Sequence, residues 1–161
     1  MPPMPRRAVL FGLVATLSAC GGGQSEGHGK PDIDGFSPQL HVNETPELRR
    51  LINKYADLYE VPRSLVHRVI IRESHHRPGA RNGPYYGLMQ ILPQTARGMG
   101  YKGADQGLLD AETNLKYAVK YLRGAWLLAD GSQDTAVKWY ARGYYYEAKR
   151  RGMLVETGLR S

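Results

Sequence analysis

The chain has 161 residues, with 22 lysines and arginines against 15 aspartates and glutamates, and its net charge of +7 favours anionic partners. The basic residues are scattered, and their longest run, Lys149-Arg150-Arg151, is too short for a nucleic-acid patch, so nucleic acid is not an expected partner. Cys20 is the single cysteine, which excludes an intramolecular disulfide and a thiolate metal cluster, and no Gly-x-x-x-x-Gly-Lys loop supports nucleotide binding.

Residues 1–19 read as an export leader. Arg6 and Arg7 supply its basic region, and the apolar stretch from Ala8 to Leu17 is too short to span a membrane as a helix. The stretch closes on Leu17-Ser18-Ala19-Cys20, which resembles a bacterial lipobox. That resemblance implies cleavage before Cys20 and lipidation of its thiol; the alternative is an ordinary secretory signal with a chance cysteine, and both export the protein. Gly21 follows the cysteine where the enteric-type pattern of inner-membrane retention has Asp, so the expected location is the periplasmic face of the outer membrane. Without Arg6 and Arg7 the chain keeps 20 basic side chains, a net charge of +5.

Residues 20–42 are rich in Gly, Ser, Pro and charge with no sustained apolar period, and read as a flexible tether. Residues 43–161 form one domain, long enough to bury a core without staples. Thr45-Pro46 opens its first helix as cap and first helical residue, with Leu48, Leu51, Ile52, Tyr55 and Leu58 as the apolar face. The second helix runs from Pro62 or Arg63 to Glu73 and ends before Pro78-Gly79. Pro93 starts a short helix that stops at Gly98 to Gly100. Asp110 caps the longest, which reaches Ala129 and turns Leu115, Ala118, Val119 and Leu122 inward. Ser132 caps another that ends before Gly143, and Tyr144 to Arg151 closes the domain. The outline is all-α.

Glu73 breaks the pattern of its own helix. Stepping back by three and four gives Ile70, Val69, Val66 and Leu65, so a stripe built for burial ends in a carboxylate. Desolvation and the negative end of the helix dipole both oppose its ionisation, which is how a general acid is made. A turn to solvent, or pairing with Arg77 or His76, is the plainer alternative.

After Glu73-Ser74 the chain continues to Gly87-Leu88-Met89-Gln90 and Pro93-Gln94-Thr95-Ala96. Together these motifs resemble the soluble lytic transglycosylase family of lysozyme-like enzymes, over roughly residues 46 to 150. The resemblance implies a lysozyme-like all-α fold and Glu73 as the catalytic acid and base. It also implies cleavage of the MurNAc-GlcNAc link in peptidoglycan glycan strands, with a 1,6-anhydroMurNAc product. Gln90 would offer amide hydrogen bonds to an acetamido sugar. Met89 would either touch the sugar face or fill the core. Tyr140 would orient Glu73, and Tyr86 is expected at the cleft before any of Tyr144, Tyr145 and Tyr146.

Two departures stand out. Trp139-Tyr140-Ala141-Arg142-Gly143 stands where many members have Ala-Tyr-Asn-x-Gly, so the Tyr is kept and the Asn is lost. Asn82 occupies a position where Ser is usual, either as a polar contact or because Asn-Gly makes a turn. Apart from Glu73 the domain's acids read as caps, surface positions or loop charges, and two carboxylates normally share glycoside hydrolysis.

The five histidines show no helical ligand pair at a spacing of three or four, so neither a metal nor another cofactor is expected. Ser74 beside His75 lacks a placed third group for a peptidase. The expected actor is a monomer anchored to a membrane through Cys20. The alternatives are a goose-type muramidase, which would need a second placed acid, and a non-catalytic wall-binding lipoprotein in which Ala141 marks decay.

Overall fold

The computed structural model describes residues 39–160; the leader, Cys20, most of the tether and Ser161 lie outside the described residues. Among the described residues, six α-helices and one minimal hairpin make up the regular structure: α1 (Pro46–Leu58), α2 (Arg63–Glu73), β1 (Arg81–Asn82), β2 (Tyr85–Tyr86), α3 (Pro93–Gly98), α4 (Ala111–Leu127), α5 (Gln133–Arg142) and α6 (Tyr145–Arg150). A 3-10 turn at Asp105–Leu109 leads into α4. This is the all-α, lysozyme-like outline that the sequence suggests. Among the described residues no helix is long and apolar enough to cross a membrane.

The caps fall where the sequence puts them. Thr45 Oγ1 accepts from the Leu48 amide at 3.1 Å, Asp110 Oδ1 from Thr113 at 2.8 Å and Ser132 Oγ from Thr135 at 3.2 Å. Each is typically worth about 1 kcal/mol of helix stability. On α1 the buried residues are Leu48, Ile52, Tyr55 and Ala56, whereas Leu58 is exposed. Leu58 lies more than a quarter turn from the centre of that stripe, on the flank away from the buried Ala56.

α4 is the axis of the fold, packed against α1, α3, α5 and the 3-10 turn, while α2 packs on α1 and α5. Leu115, Ala118, Val119 and Leu122 are fully buried along α4, as expected. Tyr144 also enters the core. Its ring stacks on Tyr121 with centroids 4.7 Å apart, and its hydroxyl donates to the Tyr121 carbonyl at 2.8 Å. A Cβ at Gly124 would overlap that hydroxyl, so the glycine leaves room for the tyrosine. Tyr145 and Tyr146 remain exposed.

Gln39 and His41, inside the stretch read as tether, are bound to the domain. Arg49 Nη2 donates to the Gln39 carbonyl at 2.9 Å, and the His41 amide donates to Glu44 Oε2 at 2.9 Å.

Candidate active site

Glu73 is the last residue of α2, and the stripe beneath it is fully in place, with Leu65, Val66, Val69 and Ile70 all buried. Its own side chain stays 25% exposed and opens on a cleft of about 630 Å³. Burial pushes the carboxyl above its ordinary value, and Arg72, with Nε 3.4 Å from Oε1, pulls it part of the way back. Arg72 is 55% exposed, so solvent screens much of that attraction. No hydrogen bond to the carboxylate contributes to this balance.

The turn after Glu73 is held firmly. The amides of Ser74 and His75 both donate to the Ile70 carbonyl, at 2.9 and 3.0 Å. His75 and His76 then adopt φ of 51° and 58°, a left-handed pair that costs of the order of 1 kcal/mol per non-glycine residue. Asn43 Nδ2 donates to the His75 carbonyl at 3.0 Å and Arg77 Nε to the Ser74 carbonyl at 2.9 Å, which offsets part of that strain. Glu73 is thereby placed at a rigid helix end, which is what a positioned acid requires.

The opposite wall is built from the Gly87 to Gln90 turn. Tyr86 and Ile91 exchange backbone hydrogen bonds at 3.1 Å across it. Asn114, fully buried on α4, fills it: Oδ1 accepts from the Met89 amide at 3.0 Å, and Nδ2 donates to the carbonyls of Tyr86 at 2.9 Å and Leu108 at 2.8 Å. Gly87 has φ of 74°, and a Cβ there would overlap the Asn114 amide and the Leu108 carbonyl. Glycine is required on both counts. Sequence reasoning missed Asn114, although an amide beside Leu115 in the inward stripe of α4 is the signal that would have found it.

The expected site residues separate into two groups. Glu73, Asn82, Gln90 and Tyr140 all line the cleft, together with Tyr85, Tyr121, Ala141 and the guanidinium-bearing Arg72 and Arg142. Met89 and Tyr86 do not. The Met89 side chain is fully buried in the core, and only its backbone serves the site. Tyr86 is 5% exposed and covered by the Arg81 guanidinium 4.7 Å above its ring. In a two-residue strand neighbours face opposite ways, so Tyr85 meets the cleft because Tyr86 meets the core.

Gln90 and Tyr140 differ from expectation in detail. Gln90 Nε2 donates to the carbonyls of Gly87 at 2.8 Å and Ala80 at 3.1 Å, so its amide hydrogens are spent inside the protein and only Oε1 is left to meet a ligand. The Tyr140 hydroxyl donates to the Met89 carbonyl at 2.8 Å rather than to Glu73. Burial, with the nearby Glu73 charge adding to it, keeps this phenol well above its usual range, so Tyr140 is a neutral strut between α5 and the turn. Asn82 pairs with Tyr85 in the hairpin, and Gly83 takes the positive φ of 57°. The turn geometry and the cleft position therefore both hold for the Asn-Gly step. Ala141 faces the cleft where an Asn side chain would project, and next to it Arg142 rests its guanidinium 3.9 Å over the Trp139 ring.

Among the described residues that line the cleft, Glu73 is the sole carboxylate. Away from the cleft, folding does what helical spacing does not: His41, His67 and His76 come together with Glu44 from separate stretches of chain.

Residues 50–151 match the family model described as the transglycosylase SLT domain. No solved structure matches the chain.

Proposed function

The chain belongs to the transglycosylase SLT domain family, whose general activity is lysozyme-like lysis of peptidoglycan, and on that footing we propose that it is a lipid-anchored murein lytic transglycosylase with Glu73 as its single acid and base. The observation that carries this reading is the cleft with one carboxylate, half-buried and without a hydrogen bond to hold its charge. Such a group keeps its proton further toward neutral pH than a surface glutamate, which suits it to protonate a leaving oxygen.

The reaction then needs no second acid. Protonated Glu73 gives its proton to the glycosidic oxygen as the bond from that oxygen to MurNAc C1 breaks, leaving an oxocarbenium-like centre. The MurNAc N-acetyl group or surrounding dipoles stabilise that centre. The sugar's own O6 attacks C1, its proton passes to the Glu73 carboxylate, and the anhydro ring closes with no water consumed. Glu73 ends protonated, ready for the next bond.

Around the reacting atoms, Gln90 Oε1 accepts a hydrogen bond from the sugar, and Tyr85 offers an aromatic face. Tyr140 holds the Met89 carbonyl and with it the wall that faces Glu73. Asn82 supplies a polar contact at the rim. The anchor is the lipid on Cys20, with the tether giving the domain reach into the wall from the periplasmic face of the outer membrane.

Two experiments test this reading. Dye-labelled sacculi incubated with the wild-type chain release soluble dye, and Glu73→Gln abolishes the release; equal release by both proteins would remove Glu73 from the mechanism. In cells, radiolabelled palmitate is incorporated into the wild-type protein and not into Cys20→Ser, whereas equal labelling would place the lipid elsewhere.

A further inference from the structure

Three histidines away from the cleft meet one another. His41 comes from the stretch before α1, His67 from within α2, and His76 from the turn that follows Glu73. His67 Nδ1 and His76 Nε2 lie 3.0 Å apart, and the His41 ring stacks on that of His76 with centroids 4.9 Å apart. Glu44, 7% exposed, brings Oε1 to 3.8 Å from His67 Nδ1. One donor atom from each of the four side chains lies within 4.8 Å of every other.

We propose that His41, Glu44, His67 and His76 form a binding site for a single divalent transition-metal ion of the zinc type, which pins the segment before α1 to the helix that carries Glu73.

The donor set selects the ion. Three imidazoles and one carboxylate suit zinc and its neighbours, whereas calcium and magnesium take oxygen ligands. Spacing agrees with this. Bonds of about 2.0–2.1 Å in a tetrahedron put ligand atoms roughly 3.3 Å apart. The His67 and His76 nitrogens are already near that value, and separations that reach at most 4.8 Å have up to about 1.5 Å to close by side-chain rotation.

The surroundings are those of a built site. His67 and His76 are each 1% exposed, and so dry a setting suits the neutral imidazole that ligates a metal. His76 Nδ1 is buried with no hydrogen-bond partner, so protein groups alone do not use the ring's full polar capacity. Glu44 is oriented from behind. Arg49 donates to both its oxygens at 2.6 Å and the His41 amide donates at 2.9 Å, the kind of outer shell that fixes a carboxylate ligand. Arg49 places a cation at the cluster's edge, where the Glu44 carboxylate pairs with it.

The topology gives the ion a task. Its ligands bracket Glu73, with His67 before it on α2 and His76 three residues after it, and they join this helix end to residues 41–44. With Cys20 as the only cysteine, a metal clip supplies the cross-link that a disulfide cannot.

The test uses the full-length chain, stripped with chelator and titrated with Zn²⁺ alone by calorimetry, and with Co²⁺ alone while its visible absorption is followed. The expected result is one saturable equivalent, a raised melting temperature and the intense visible bands of four-coordinate Co²⁺. His41→Asn and His76→Gln each weaken Zn²⁺ binding at least tenfold, while His75→Asn, at an exposed position, leaves it unchanged. Melting curves in chelator check that each variant folds, and His41→Asn, which changes a residue outside the helices, keeps the comparison valid where His76→Gln does not fold. Absence of saturable binding would mean that the His67–His76 contact is only a hydrogen bond between neutral rings. Binding that is equal in His41→Asn and His75→Asn, or Co²⁺ with only weak octahedral bands, would mean an adventitious surface ion. Either result overturns the proposal.

Discussion

Asn114 and Glu73 are both polar residues that interrupt the inward stripe of a helix, and the fold treats them in opposite ways. Asn114 is fully buried, and three protein hydrogen bonds satisfy its amide, tying α4 to the turn that walls the cleft. Glu73 is half-buried and gets no hydrogen bond, only a loose ionic neighbour in Arg72. A buried polar group whose every hydrogen bond is made within the protein holds the structure together; one left without a hydrogen bond at the edge of a cleft is poised for a partner that is not protein.

Substitution separates the two roles, and the largest effect is expected at Glu73. Glu73→Gln lowers the rate of sacculus lysis by about 10²–10⁴-fold, the usual worth of a general acid, in steady-state assays. Its effect on stability has the opposite sign. Because the native carboxyl titrates above the ordinary 4.5, the native state binds more protons than the unfolded chain between that value and its own. Stability therefore falls as pH rises through that window, and Glu73→Gln removes the slope and melts at the same or a higher temperature at neutral pH.

Asn114→Ala comes next. It takes Asn114 from the Met89 amide and the Leu108 carbonyl, while the Tyr86 carbonyl keeps the Ile91 amide, and costs about 3 kcal/mol in denaturant unfolding, with activity lost in proportion to the folded fraction. Tyr140→Phe removes the single bond to Met89 and costs about 1 kcal/mol by the same measurement, with lysis reduced further because the wall facing Glu73 loses its strut. The smallest effect is at Arg72. Since Arg72 holds the Glu73 carboxyl down, Arg72→Gln shifts the alkaline limb of the pH–rate profile upward, and an unmoved limb would remove Arg72 from the electrostatics of the site.

The sequence conveyed the helices well because their signals are local. Thr45, Asp110 and Ser132 announce their helices as caps, and Pro78-Gly79 announces the end of α2, so the expected and observed boundaries nearly coincide. Glu73 was legible for the same reason, as a break in a period of 3.6. What stayed hidden is tertiary. Which of Tyr85 and Tyr86 faces the cleft depends on the register of a two-residue strand, too short to carry an alternation of its own. The burial of Met89 depends on the wall built by Asn114, 25 residues away in sequence. The histidine cluster draws on three separate segments, so no spacing rule along the chain registers it.

The most direct test of the single-carboxylate account is mass spectrometry of the muropeptides that the wild-type chain releases from purified peptidoglycan. Fragments ending in 1,6-anhydroMurNAc are expected, and they disappear with Glu73→Gln. Fragments ending in reducing MurNAc would contradict the single-carboxylate account, because water would then be the nucleophile and the cleft would need a second group to activate it.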